Sequence, residues 1–259
     1  MRKGRVLVGV VAAVALLAAG FWYVLLRDDP TPVSVSDAVA RFRARDVTGA
    51  SVASLGRVPR LGVYRYATRG FERFDSLLDG RHDYSGTSTV TVSRTGCGLS
   101  GRWDALDERW TAWEDCMTPQ QARLRSLTQF HEFYGRSKRL HYRCSGRYLQ
   151  RMTNMSAGRR WTDRCTSGDG SMVLRGRIVG PETLSVAGQP VDTVHAHIDA
   201  RLSGQARGTN TIDSWLLRST GLLVQRAVHS DVRIGGTPLG DVAHRERYAI
   251  ELRSLKPLR

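Results

Sequence analysis

The segment Thr87–Arg94, with the sequence TSTVTVSR, indicates the fold class of this chain of 259 residues. Its β-branched residues alternate with small polar ones, which is the period expected for a β-strand with one buried face. The next segment, Cys97–Asp104, is predicted to be the partner strand of a hairpin. Leu106–Cys116 fits either a helix or another strand, and the neighbouring hairpin favours the strand.

Alternation of this kind continues on both sides of that hairpin and predicts further short strands between turns. They are expected near 61–67, 124–134, 140–144, 172–179, 183–187, 191–202, 209–218, 222–233 and 242–255. The polar, glycine-rich segment Asn154–Gly170 is expected to be a loop. A helix is predicted at 34–43, with Ser34 as its N-cap. The fold class is therefore mainly β (α+β), with a curved, half-barrel-like antiparallel sheet and one or two short helices.

The N-terminal segment Val6–Leu26 holds 21 residues without a charge. As a helix it would be about 31 Å long, close to the roughly 30 Å of a bilayer core. The preceding Arg2, Lys3 and Arg5 favour a cytoplasmic N-terminus. A cleaved signal peptide ending near Ala18-Ala19-Gly20 is the alternative. The predicted organisation is a cytoplasmic tail at 1–5, a transmembrane helix at 6–26, a linker at 27–33 and an extracytoplasmic β-rich domain at 34–259.

Four cysteines follow the predicted span, so they would lie in an oxidising compartment where disulfides persist. Four cysteines allow three pairings, and the two sequential ones, Cys97–Cys116 and Cys144–Cys165, are favoured. Each would close a loop of about 20 residues, which is worth roughly 3 kcal/mol in the chain-entropy account. Zinc is disfavoured, because the C-x₂-C spacing of zinc ribbons is absent.

The net charge of +15 predicts attraction to polyanions. Outside a cell membrane those would be anionic lipid or an envelope polymer, and nucleic acid is not expected. Of the 39 basic residues 36 are arginine, so a composition bias of the genome is the alternative explanation. The sequence does not indicate an oligomeric state.

The aromatic residues after the predicted span suggest a cavity for an apolar ligand. The candidates for its lining are Trp103, Trp110, Trp113 and Trp215, with Trp161 as a further aromatic residue. The alternative is that these rings fill an ordinary core.

Two histidines, His195 and His197, share one face of a predicted strand. They could form half of a metal site if His229 or His244 joined them. The other interpretation, which the apolar Val194 and Ala196 on the opposite face favour, is a solvent-facing pair, so no metal is expected.

Five acidic residues lie between Trp103 and Cys116, and two facing carboxylates could hydrolyse a glycosidic bond. They are Asp104, Asp107, Glu108, Glu114 and Asp115. Nothing in their spacing selects a pair, and Arg102 and Arg109 could simply neutralise them. The chain has no G-x-S-x-G, P-loop, dinucleotide G-x-G-x-x-G or H-E-x-x-H motif. No catalytic residue and no cofactor are therefore expected, and the chain is not predicted to be an enzyme.

Several segments resemble actinobacterial single-span membrane or secreted proteins that have no assigned function. These segments are VSVSDAVARFR (33–43), LGVYRYATRGFE (61–72), RTGCGLSGRWDALDERW (94–110) and DSWLLRSTGLLVQ (213–225). Trp215-Leu216 followed by Thr220-Gly221-Leu222 also resembles lipoprotein-carrier and lipid-transfer half-barrels. That resemblance implies a sheet around an apolar concave face, partly covered by a helix that 34–43 could supply. The transmembrane anchor and the paired cysteines depart from the carrier pattern.

Two functions follow as hypotheses. The first is a membrane-anchored envelope protein that binds a lipid or other amphiphile in a half-barrel cavity. The second is a non-enzymatic envelope interaction or structural domain with a filled core and a basic docking surface. A cavity in the interior would distinguish the first hypothesis from the second.

Overall fold

The structure, a computed structural model, describes residues 30–45, 55–75, 80–84, 86–146, 149–237 and 240–259. These residues form one helix, α1 (Val35–Arg45), a 3₁₀ turn at Met152–Asn154, and fourteen strands. The strands are β1 (Gly62–Asp75), β2 (Gly80–Asp83), β3 (Thr87–Thr95), β4 (Gly98–Leu106), β5 (Arg109–Met117), β6 (Gln121–Phe133), β7 (Arg136–Cys144), β8 (Leu149–Gln150), β9 (Arg160–Ser167), β10 (Gly170–Val186), β11 (Gln189–Gly204), β12 (Ala206–Leu217), β13 (Leu223–Thr237) and β14 (Gly240–Leu252).

Twelve of the described strands form a closed antiparallel barrel. Their order is β1, β3, β4, β5, β6, β7, β9, β10, β11, β12, β13, β14, and β14 pairs back onto β1 from Tyr66↔Leu252 to Asp75↔Ala243. The short β2 pairs with the second half of β1, and β8 pairs with the start of β6. The half-barrel prediction is therefore wrong, because the last strand satisfies the free edge of the first.

Alternation along the strands determines which side chains enter the barrel. On β14 the even-numbered residues from Val242 to Leu252 are buried, while the odd-numbered residues are more exposed. On β1 Tyr64, Tyr66 and Thr68 point inward in the same way. This pattern is expected where a sheet has one buried and one solvated face. The barrel interior is thus the core of the molecule.

The barrel is most weakly paired between β7 and β9. Only Arg143↔Thr166 and Cys144↔Cys165 are in register there, and a disulfide joins the second pair. The other disulfide joins Cys97 to Cys116, next to the long ladder between β4 and β5. These are the two sequential pairings that the sequence favoured.

Helix α1 lies on the outer wall of the barrel. Its N-cap is Ser34, whose Oγ accepts a hydrogen bond from the Asp37 amide at 3.3 Å. Ala38 and Phe42 pack against Val63 on β1. The residues before the helix also contact the wall, since the Thr31 amide donates to Glu108 Oε2 at 2.9 Å. The carrier resemblance implied a helix that covers a concave face of the sheet. The helix instead lies on the outside of the barrel.

No helix among the described residues has both the length and the apolar character that crossing a bilayer requires. The predicted span Val6–Leu26 and the predicted tail at 1–5 lie outside the described residues.

Two segments show where the local sequence pattern predicts the secondary structure and where it does not. Most of Leu106–Cys116 is strand, as expected, because it forms β5 after a turn at Asp107-Glu108. The prediction of a loop throughout Asn154–Gly170 is wrong, since Arg160–Ser167 forms β9 and pairs with β10. The local residues are polar, but a long neighbouring strand provides a ladder for them.

Candidate functional site

The barrel interior contains a partly open cavity of about 310 Å³. A volume of this size falls in the range of small-molecule sites, which begins at about 300 Å³. Most of its wall is made of apolar side chains from strands all around the barrel, among them Leu99, Leu127, Met172, Leu174, Ile198, Ile212, Leu216 and Val228. A wall of this kind favours apolar molecules over polar ones.

Two tryptophans on the cavity wall, Trp113 and Trp161, lie across glycines of neighbouring strands. A Cβ atom built on Gly101 would lie 2.2 Å from the ring of Trp113, and one on Gly176 would lie 2.1 Å from the ring of Trp161. No real Cβ atom fits at these distances. Glycine at both positions therefore lets each indole pack flat against the barrel wall.

Four arginines, Arg109, Arg123, Arg151 and Arg226, line the otherwise largely apolar cavity. Arg109 pairs with Glu246, and Arg151 donates to the carbonyl oxygens of Leu55, Arg57 and Thr220, which directs attention to the fourth, Arg226 on β13. Its Nε donates a hydrogen bond to Ser214 Oγ at 3.2 Å, and its guanidinium carbon lies 5.0 Å from the centre of the Trp113 ring. No carboxylate of the described residues lies within 4.0 Å of this guanidinium. Arg226 can therefore offer a positive charge to a molecule in the cavity.

The carboxyl group of Asp115 also lines the cavity. Burial raises its pKa to about 7, with Arg226 opposing the shift and Asp163 and Glu114 adding to it. A carboxyl group with this pKa is half protonated near neutral pH. Asp115 therefore neutralises Arg226 only in part.

A second polar group lies at the barrel end that carries the β4–β5 and β6–β7 turns. Its centre is Glu72 on β1, which is fully buried. Glu72 Oε1 faces His82 Nδ1 at 3.1 Å, and Glu72 Oε2 faces His131 Nδ1 at 2.8 Å and His244 Nε2 at 3.3 Å. An ionised carboxylate only accepts, so each of these ring nitrogens donates its hydrogen. These four residues are called the Glu72 cluster below.

A buried ion pair adjoins the Glu72 cluster. Arg109 on β5 donates through Nε and Nη2 to the two oxygens of Glu246, at 2.9 and 3.0 Å. The hydroxyl of Tyr84 donates to Glu246 as well. Arg109 Nε also lies 3.6 Å from Glu72 Oε2. Arg109 and Glu246 both line the cavity, so this pair separates the Glu72 cluster from the apolar interior.

The protonation of these groups follows from their surroundings. Burial raises the pKa of Glu72, but the three histidines outweigh it and hold the pKa well below its usual range. Burial and the Arg109 charge lower the pKa of His131 to about 4. Burial likewise opposes ionisation of Glu246, but Arg109 lowers its pKa. At neutral pH the cluster therefore has an ionised Glu72 and a neutral His131.

Three side chains of the Glu72 cluster could hold a metal ion. One donor atom from each of Glu72, His131 and His244 lies within 4.8 Å of the other two. Among the residues that the structure describes, no other group of three such side chains meets this condition.

The structure distributes the predicted lining tryptophans over three environments. Trp113 lies on the cavity wall. Trp103 points inward but is packed on Tyr248, with 4.1 Å between the ring centroids, and does not reach the cavity. Trp110 and Trp215 lie on the outer face, where Trp110 stacks on Phe130 and Trp215 stacks on His195.

The histidine pair His195 and His197 lies on the outer face of β11, where both rings share Asp213. His195 Nε2 and His197 Nδ1 lie 2.8 and 2.9 Å from Asp213 Oδ1. The suggested third ligands are elsewhere. His229 bonds Arg247 on the outer face, and His244 belongs to the Glu72 cluster inside the barrel.

The five acidic residues between Trp103 and Cys116 do not converge. Asp104 bonds Arg102, Glu108 bonds the Thr31 amide, and Glu114 pairs with Arg125. Asp107 lies in the β4–β5 turn. Asp115 points into the cavity, on the opposite face of β5 from Glu114. This arrangement provides no facing pair of carboxylates for glycoside hydrolysis.

The sequence analysis missed the Glu72 cluster and the cavity residues Arg226 and Asp163. One signal could have indicated them. Glu72 follows Tyr64, Tyr66 and Thr68 on the inward face of β1, and His244 and Glu246 share the inward face of β14 with Tyr248. A charged side chain on an apolar face needs a buried partner.

Comparison with known proteins adds little to this geometry. No protein-family model matches the sequence, and no curated protein matches it. A crystal structure of the hypothetical lipoprotein YmcC from Escherichia coli is similar at 14% identity and a TM-score of 0.33, over 74% of this chain and 85% of that chain. A score this low supports no argument about this chain, so the proposals that follow rest on its own residues.

Proposed function

We propose that this chain is a non-catalytic binding protein that holds a lipid or another amphiphile inside its barrel. The observation that carries the proposal is the cavity of about 310 Å³ with its predominantly apolar wall. Displacing water from such a wall by an apolar chain is favourable, by roughly 25 cal/mol for each Å² of apolar surface removed from water.

The competing hypothesis, a docking domain with a filled interior, has less support. It requires side chains to occupy the whole barrel, whereas the cavity in the barrel is large enough for a small molecule. The net charge of +15 remains compatible with an anionic surface as an additional partner.

Arg226 determines the chemical class of the preferred ligand. Its half-buried guanidinium lines the cavity with no carboxylate of the described residues within 4.0 Å, and a cation withdrawn in part from water favours an anionic partner. The bound amphiphile therefore has an acidic head group, a carboxylate or phosphate, which pairs with Arg226. Its apolar part lies against the wall formed by Leu127, Ile198 and Ile212.

Binding can be tested with N-phenyl-1-naphthylamine, an uncharged dye whose fluorescence rises in an apolar site. Ile212→Trp would fill part of the cavity, and Thr211→Trp adds the same ring on the outer face of the same strand. The proposal expects the wild type and T211W to bind the dye and I212W to lose most of the signal at an unchanged melting temperature. Equal dye binding by all three proteins would contradict the proposal.

The polar end of the ligand is tested separately. Arg226→Met keeps an unbranched side chain but removes the charge, so it should weaken binding of a long-chain fatty acid by at least about tenfold, or 1.4 kcal/mol. The corresponding fatty alcohol should bind R226M and the wild type alike. Equal affinities of both proteins for the fatty acid would show that Arg226 does not contact the head group.

The setting of this function stays a prediction. The two disulfides are typical of an exported domain, and we therefore propose an extracytoplasmic, envelope-associated protein with anionic lipid or an envelope polyanion as its partner. Native mass spectrometry of gently purified protein would test the lipid partner, since a retained lipid identifies the ligand class directly.

A further inference from the structure

We propose that Glu72, His131 and His244 bind a divalent transition-metal ion, preferentially zinc, inside the barrel. This inference is independent of the amphiphile and concerns a different end of the interior. Two imidazoles and one carboxylate are a donor set that zinc readily accepts.

The distances between the donor atoms suit a tetrahedral ion. Bonds of about 2.0–2.2 Å around zinc place neighbouring ligand atoms roughly 3.3 Å apart. Glu72 Oε2 lies 3.3 Å from His244 Nε2 and 2.8 Å from His131 Nδ1, and the donor atoms all lie within 4.8 Å of one another. On binding an ion, each imidazole would carry its hydrogen on the other ring nitrogen, so that the nitrogen facing Glu72 is free to act as a ligand.

The charges of the buried groups also favour a cation. Glu72 and Glu246 each contribute one negative charge, and Arg109 contributes one positive charge. All three residues are buried, and Arg109 makes its two hydrogen bonds to Glu246, whereas it approaches Glu72 Oε2 only to 3.6 Å. An uncompensated buried charge is costly. A divalent ion beside Glu72 would compensate the charge of this carboxylate.

The surroundings hold the ligands in place. His82 Nδ1 lies 3.1 Å from Glu72 Oε1, the oxygen that faces away from the two ligand histidines. The His82 ring in turn stacks on Phe133, with 4.0 Å between the ring centroids. Partners of this kind, which orient a metal ligand without touching the ion, are typical of metal sites.

The ligands come from both sides of the interior. Glu72 and His244 lie on the paired strands β1 and β14, whereas His131 lies on β6, which pairs with neither. A bound ion would therefore join opposite walls of the barrel. His131 is 13% exposed, which gives an ion a route to the site. Three protein ligands also leave one position for water.

The test uses the full chain without a polyhistidine tag, stripped with EDTA and then titrated with ZnCl₂ by calorimetry. The proposal expects one ion per chain. Cobalt, added as CoCl₂, should give visible absorption bands typical of tetrahedral coordination. Glu72→Gln and His131→Ala should each weaken zinc binding by more than 100-fold. His82→Ala should weaken it by roughly 10–100-fold, as expected for a group that only orients a ligand.

The matched control is His141→Ala, which removes an exposed histidine on β7 that bonds Thr128. This variant should bind zinc as the wild type does. Uptake of no zinc and no cobalt by the stripped wild type at micromolar ion concentration would overturn the proposal without reference to any variant. Undiminished zinc binding by folded E72Q and H131A would overturn it as well, because the ion would then lie elsewhere.

Discussion

At the scale of single residues, Asp115 links the cavity to pH. Its pKa is raised to about 7 in the folded chain, mainly by burial, whereas an unfolded aspartate titrates near 3.9. The folded chain therefore binds more protons than the unfolded chain between these values. Its contribution to stability is fully present below about pH 4 and is lost as the pH rises through 7, by at most about 4 kcal/mol.

Asp115→Asn should remove this dependence. We expect the free energy of unfolding of the wild type, relative to D115N, to fall between pH 4 and pH 8 in urea titrations. Binding of N-phenyl-1-naphthylamine should also weaken above pH 7 in the wild type and not in D115N, because the ionised carboxylate makes the cavity more polar. A constant difference in stability across this range would show that Asp115 is not protonated in the folded chain.

Gly101 provides a second test at this scale. An added Cβ atom would lie 2.2 Å from the Trp113 ring, so Gly101→Ala should displace the indole into the cavity. We expect G101A to lower stability by about 1–3 kcal/mol, the usual range for overpacking, and to weaken dye binding. Gly96→Ala is the control, because a Cβ atom there meets nothing within 4 Å. Equal melting temperatures and dye affinities for G101A and G96A would contradict the packing argument.

The Glu72 cluster shows why single residues of a site escaped prediction. His82 is 10 residues from Glu72, His131 is 59 and His244 is 172. Sequence motifs for metal sites rely on short spacings within one element, and no such spacing exists here. Only the closed sheet brings these side chains together. His195 and His197, which do have a local spacing, instead share the half-buried carboxylate of Asp213 on the outer face.

At the scale of elements, the two disulfides offer a comparison with similar loop lengths. Their sequence separations are 19 and 21 residues, so the chain-entropy contributions are nearly equal. Their surroundings differ, because β4 and β5 are paired along their whole length, whereas β7 and β9 share only two residue pairs. The Cys144–Cys165 disulfide therefore holds together a junction that has little other support.

Removing the second disulfide should consequently cost more. We expect C144A/C165A to lower the melting temperature further than C97A/C116A and to speed hydrogen exchange in β7 and β9 selectively. Each loss should fall in the range of about 2–5 kcal/mol that is typical for a native disulfide. Larger destabilisation by C97A/C116A, with unchanged exchange in β7, would argue that the β7–β9 junction is stabilised in another way.

Most of the strands could be predicted from the sequence, because the signal for a strand lies in residues that are close together in the chain. Segments such as Thr87–Arg94 combine β-branched residues with a period of two, and the strand follows from residues a few positions apart. Arg160–Ser167 has no such pattern, yet it forms β9, because β10 offers a long ladder for it to pair with. β-Propensity is context-dependent in this way.

At the scale of the whole molecule, closure of the sheet could not be read from local patterns. Alternation predicts strands with one apolar face, but a half-barrel and a closed barrel both satisfy it. The decisive contact is between β1 and β14, where Thr68 pairs with Ile250 across most of the chain. This pairing covers the edge of β1, completes the wall of the cavity and brings Glu72 beside His244.

A substitution at Ala249 can disrupt the hydrogen-bonded ladder between β1 and β14 that closes the barrel. Ala249 on β14 pairs with Arg69 of β1 and Ala227 of β13, and its side chain points outward, between the buried Tyr248 and Ile250. Ala249→Pro removes an amide donor within a strand that is paired on both edges, where proline is not tolerated. Ala249→Ser is the control, because it changes the side chain only slightly and keeps the amide donor.

We therefore expect A249P, but not A249S, to lose dye binding and to aggregate on warming. Separation of β1 from β14 would disrupt the cavity wall and expose two unpaired strand edges. Thermal melts with light scattering, read beside dye titrations, measure both effects. The two effects should appear together, since one ladder completes the cavity wall and protects the edges. Retained dye binding in an A249P protein that aggregates would separate them, and would place the binding site outside the barrel interior.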